Sequence, residues 1–101
     1  MATLLSVTTT TAVTGTHINV NVKTPMWFST YLAGAGALTA TVVYQGTNDP
    51  TIANSWQTFG TSVLSVTTNG VDSFQFTPPP FVRAALSTAT GTLATLVTSV
   101  G

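Results

Sequence analysis

Twenty-three of the 101 residues are threonine, and where threonine, valine and alanine run together they alternate in short stretches closed by Gly, Pro or Asn. A branched Cβ packs well on a pleated surface and loses rotamer freedom in a helix, so such a chain is driven toward strands. The clearest case is residues 16–24, where Ile18, Val20 and Val22 take one face and His17, Asn19, Asn21 and Lys23 the other. Residues 37–45 repeat the pattern with Leu38, Ala40, Val42 and Tyr44 on a common face. Further strands are expected at 3–13, 26–32, 57–67, 71–77, 81–87 and 92–100. Turns are expected at Thr14-Gly15, Gly34-Ala35-Gly36, Asn69-Gly70 and Gly91, and Gly60 marks a bend. Pro78-Pro79-Pro80 cannot donate to a ladder and reads as an extended crossing between sheets or edges. Seven to nine short strands with no convincing helix predict an all-β chain, an antiparallel β-sandwich or jelly-roll, folded as one domain over residues 1–101. Residues 1–14 are expected to be a Thr-rich arm or an edge strand.

Only Lys23, Arg83, Asp49 and Asp72 carry a formal charge, and the net charge is zero. Soluble domains have roughly 25 % charged residues, and a neutral hydroxyl-covered surface tends to associate rather than stay apart. Two cations are too few to neutralise the several phosphates on which nucleic-acid affinity depends, so nucleic acid is not an expected partner. No apolar run approaches a membrane span and no basic leader follows Met1, so neither membrane insertion nor secretion is expected.

The reagents for chemistry are few. His17 is the only imidazole, no serine sits in an elbow-type motif, and there is no cysteine. Two aspartates are too few for an ordinary hard-cation site, and the one alternative left open is a weakly bound calcium near Asp49 with backbone carbonyls of the 46–55 loop making up the number. No enzyme activity, cofactor or metal is expected.

Residues with interaction chemistry fall in two groups. Trp27 and Tyr31 share a face on strand 26–32 opposite Met26, Phe28 and Leu32, and strand 92–100 also carries apolar groups on both faces, with Leu96 among them. Strands apolar on both sides in so small a chain favour a homo-oligomer, with Trp27, Tyr31, Arg83 and Leu96 as interface candidates. Asn48, Asp49 and Trp56 are the loop candidates: Asn48-Asp49-Pro50 reads as a turn, and Trp56 with Phe59 is expected to plug one end of the sandwich. Arg83 is expected to pair with Asp72 or Asp49.

The run Tyr44-Gln45-Gly46-Thr47-Asn48-Asp49-Pro50, then Trp56 with Phe59, then Phe81-Val82-Arg83, resembles the core signature of discoidin-like, galactose-binding-like β-sandwiches. The family usually has Asp-Gly where this chain has Asp49-Pro50, and its domains are longer. Small, Cys-free, Thr/Val/Ala-rich proteins carrying this signature look like virion components of tailed bacteriophages, capsid decoration proteins in particular. That resemblance implies a cement protein bridging capsid subunits, made in the host cytoplasm and located in the virion, with the major capsid protein or other virion proteins as partners. The alternative it leaves open is a glycan- or receptor-binding module of a fibre or tail.

Overall fold

The computed structural model describes residues 2–8, 11–20, 23–67 and 69–101. It is all-β, with seven strands among the described residues: β1 (Ala2–Val7), β2 (Val13–Thr14), β3 (Ile18–Asn19), β4 (Met26–Thr47), β5 (Gln57–Val66), β6 (Asn69–Phe76) and β7 (Phe81–Val100). A single 3-10 turn, Ala53–Ser55, interrupts the loop between β4 and β5. Asn21 and Val22, which the alternation at 16–24 assigns to opposite faces, lie outside the described residues.

Two of the strands are far longer than the spacing of turn signals suggests. At about 3.3 Å per residue, the 22 residues of β4 would reach roughly 70 Å if straight, yet the longest dimension of the molecule is 39 Å. The strand therefore folds back on itself. Phe28 and Tyr44, both on β4, meet face to edge with ring centroids 5.5 Å apart, and the Tyr44 hydroxyl lies 2.6 Å from Thr30 Oγ1. The bend is made where the ladder between β4 and β7 slips, at Ala33/Gly34 and Ala35/Thr39. On β7 it passes through Gly91 at φ +96, where a Cβ would lie 2.3 Å from the Ala37 carbonyl oxygen. The glycines expected to end strands bend them instead.

Split at these bends, the chain has eight arms whose hydrogen bonding follows one rule: each arm pairs with the arm equally far from the β4–β5 loop. β5 pairs with the second half of β4, β6 with its first half, β2 and β3 with the first half of β7, and β1 with its second half. The two halves of β4 and β7 pair with each other throughout. The molecule is thus one long hairpin rolled into two layers. The front sheet reads β1, β7 (second half), β4 (first half), β6; the back sheet reads β2/β3, β7 (first half), β4 (second half), β5. In chain order the arms run 1-8-3-6 and 2-7-4-5, the jelly-roll arrangement.

The side chains facing between the layers follow from alternation. Phe28, Leu32, Leu38, Val42, Tyr44, Val82, Leu86, Leu96 and Val100 have no more than 2 % of their surface exposed. Near the bend the filling is aliphatic; at the far end it is aromatic, with Phe28 stacked on Phe74 at 5.3 Å and Phe59 on Phe76 at 4.8 Å. Gly60 leaves the space that the Phe74 ring fills, since a Cβ there would lie 2.3 Å from it.

Several local expectations change. Thr14-Gly15 is not a hairpin, because β2 and β3 both run along β7 and Gly15 N–H donates to the Ala84 carbonyl at 2.8 Å. Asn69 and Gly70 already belong to β6, paired with Ala33 and Leu32. The amino-terminal segment is an edge strand on its own sheet: a bulge at Leu4 turns both Leu4 and Leu5 inward, and both are buried. The three prolines do cross between layers, from β6 in front to β7 behind, with Pro79 seated against Gly46.

Candidate interaction surfaces

On the front sheet the outward residues of β4 are Trp27, Ser29 and Tyr31, in register with Gln75, Ser73 and Val71 on β6. On the other side Ser29 and Tyr31 face Ser99 and Val97 of β7. Trp27 is 53 % exposed, Tyr31 40 % and Val71 63 %, and the Ser29 and Ser73 hydroxyls bond across the strands at 3.2 Å. None of the strand residues that point outward on this face is charged. Asp72 is paired with the buried Thr30 and so sits on the inward side of β6.

Leu96 does not join Trp27 and Tyr31. It is fully buried, because on the second half of β7 the even residues face the other sheet. As an interface candidate it is therefore corrected to a core residue.

The back sheet carries a different cluster. Gln45 and Arg83 are cross-strand partners on β4 and β7, pointing outward beside the inward Tyr44 and Ala84. Arg83 Nε donates to Gln45 Oε1 at 2.8 Å, and the guanidinium carbon lies 4.2 Å above the centre of the Trp56 ring. His17 closes the group, its ring 5.7 Å from Trp56 and 5.9 Å from Phe81. The ion pair expected for Arg83 is absent: neither Asp49 nor Asp72 pairs with it. Nor does Trp56 plug the sandwich. That place is taken by Phe59, which contacts Phe28 at 4.9 Å, while Trp56 lies half-buried on the outer surface beneath Arg83.

The loop between β4 and β5 is held by its own side chains. Asp49 Oδ1 accepts from the Thr51 hydroxyl at 2.6 Å and the Thr51 N–H at 3.0 Å, and these bonds hold its carboxyl below its ordinary range. The Thr47 and Ser55 hydroxyls are 2.5 Å apart, and Asp49 N–H donates to Thr47 Oγ1 at 3.1 Å. Asn48 is exposed at the tip. Together with Gln57 and Pro79 the loop borders an open cleft of about 350 Å³.

Among the described residues no three His, Asp or Glu side chains come together as a metal site would require, and no helix is long and apolar enough to cross a membrane. Compared with known proteins, the chain matches no family model, no curated protein and no solved structure. Among the residues of the discoidin-like run, Gln45 bonds Arg83, Arg83 covers Trp56, and Phe59 meets Tyr44 at 6.5 Å. Gln45 could not be singled out from the sequence, since its role depends on a partner 38 residues away.

Proposed function

We propose that this chain is a structural protein of a virion, of the capsid-decoration type, which acts by packing the outer face of its front sheet against copies of itself and against neighbouring subunits. The observation that carries the reading is the charge-free front face with Trp27, Tyr31 and Val71 exposed on it. Jelly-rolls are common in viral capsid proteins, though the fold also serves lectins, so the argument rests on the surface rather than on the topology.

The size of that surface sets the mode of action. Four strands about 4.8 Å apart and seven or eight residues long give a footprint of roughly 450 Å², about half of the ~800 Å² per partner in a standard stable interface. One such contact is weak. A lattice of many identical ones is strong, because each bound copy raises the effective concentration of the next. Burying a ring such as Trp27 or Tyr31 contributes about 1.5–3 kcal/mol per contact, from which the desolvation of the neighbouring serine hydroxyls and the ordering of the partners subtract.

The second reading, a glycan-binding module, draws on the cleft beside Asn48 and Asp49. Trp56 does not favour it, because Arg83 occupies a face on which a sugar would stack. Sedimentation with empty capsids, set beside binding to whole cells, separates the two readings. A decoration protein pellets with capsids and loses that property in Tyr31→Asp; cell attachment with no capsid binding would overturn the assignment.

A further inference from the structure

Arg83 is the only arginine of the chain, and its environment is built to hold a guanidinium without neutralising it. Gln45 Oε1 fixes Nε at 2.8 Å, Trp56 supports one face at 4.2 Å, and the side chain is half-buried in the outer surface of the back sheet. With Nε engaged, the terminal amino groups form the free edge of the fork. All of the chain's aspartates lie among the described residues, and neither pairs with Arg83. A cation so placed has already lost most of its rotamer freedom, so a planar anion can be engaged at little further entropic cost. Beside an aromatic ring the attraction is also screened less than in open water.

We propose that Arg83 is the docking point for a carboxylate side chain, Asp or Glu, on the protein surface against which this chain assembles. The inference rests on the structural-protein reading in one respect, that the partner is a protein, and it names the chemistry of a second contact distinct from the front sheet. Other anions fit less well. Phosphate backbones require several cations, and the Trp56 face that would stack a sugar is covered. A second copy of this chain has Asp49 alone to offer, since Asp72 faces inward, and one oxygen of Asp49 is occupied by Thr51.

The test uses the full chain labelled with ¹⁵N, in which the single arginine supplies a single Nε–H resonance. It is titrated with hexaglutamate at constant ionic strength, and in parallel with sodium chloride and with N-acetylneuraminate. The expected result is a saturable shift of the Arg83 Nε–H and Trp56 indole signals with hexaglutamate only. Arg83→Lys should weaken this binding roughly tenfold, because the charge stays and the bidentate fork is lost. Gln45→Ala, which leaves the charge and releases Nε, should weaken it severalfold. A linear shift that chloride reproduces, or equal binding by Arg83→Lys, overturns the proposal. Tighter saturation by N-acetylneuraminate reassigns the site to acidic glycans, and loss of self-association in both Arg83→Gln and Asp49→Asn reassigns it to a second copy. Capsid sedimentation is independent of this titration, so failure of the virion reading and failure of the Arg83 site are separately visible.

Discussion

The two outer faces of the sandwich are made from the same two strands, yet they differ in kind. In front, β4 and β7 display Trp27, Tyr31 and Val97 beside serines, with no charge. Behind, the same strands past their bends display Gln45, Arg83 and Thr41, and the aromatic group there, Trp56, is already covered. A bare ring gains free energy when any matching surface removes it from water. A covered ring has spent that gain within the molecule, and what remains available is the cation above it. The front face is therefore suited to contacts indifferent to salt, and the back face to one specific contact that salt weakens.

The strand that carries both kinds of side chain gives the most drastic test of the division. Phe28→Ala, inward on β4 amid Tyr44, Phe59 and Phe74, should cost about 3–5 kcal/mol. Trp27→Ala next to it should cost less than about 1 kcal/mol in denaturant melts. Comparable losses would mean that Trp27 is not a free surface residue.

Next in size is the effect of a charge placed on each face. Tyr31→Asp should weaken self-association about a hundredfold or more, since each copy would bury an unpaired carboxylate. Val63→Asp, on the equally exposed back sheet, should change it by less than about threefold. Equal sensitivity to the two substitutions would erase the distinction between the faces.

Tyr44 allows a test through pH. Burial pushes its phenol up to about 12, assisted by the negative charge of Asp72 and opposed by the hydrogen bond with Thr30. The unfolded chain releases this proton near pH 10 and the folded chain near 12, so between these values the folded form binds more protons. Stability is therefore full below pH 10 and falls as pH rises toward 12, by about 2–3 kcal/mol. Tyr44→Phe should lack this component of the slope in melts taken across that range, and an unchanged slope would place the titration elsewhere.

A more modest loss of stability is expected where the back face is altered. Trp56→Ala removes a half-buried ring and the support of Arg83, and should cost about 1–2 kcal/mol, well below the value for Phe28→Ala. A loss as large as that for Phe28 would mean that Trp56 is a core residue after all.

What the sequence made legible was everything governed by alternation. The common face of Leu38, Ala40, Val42 and Tyr44, the all-β class and the proline crossing could all be read from local patterns. What it hid depends on partners distant along the chain. Whether Gly34 and Gly91 end strands or bend them is decided by the pairing of β4 with β7 across the layers, and Leu96 could be assigned to the core only once that register was known. The bulge at Leu4, which turns two successive leucines inward, violates the period-two rule itself. Arg83 seemed to need a carboxylate because charge is visible in a sequence, while a cross-strand glutamine and a tryptophan from another loop are not.

The central claim, association through a charge-free front face, is tested most directly by sedimentation equilibrium of the purified wild-type chain beside Tyr31→Asp, at low micromolar concentration and at low and high salt. The account expects the wild type at a multiple of 10.4 kDa, unchanged or strengthened by salt, and the variant as a folded monomer. A wild-type chain that sediments at 10.4 kDa in both conditions, or an assembly that dissolves as salt rises, would contradict it.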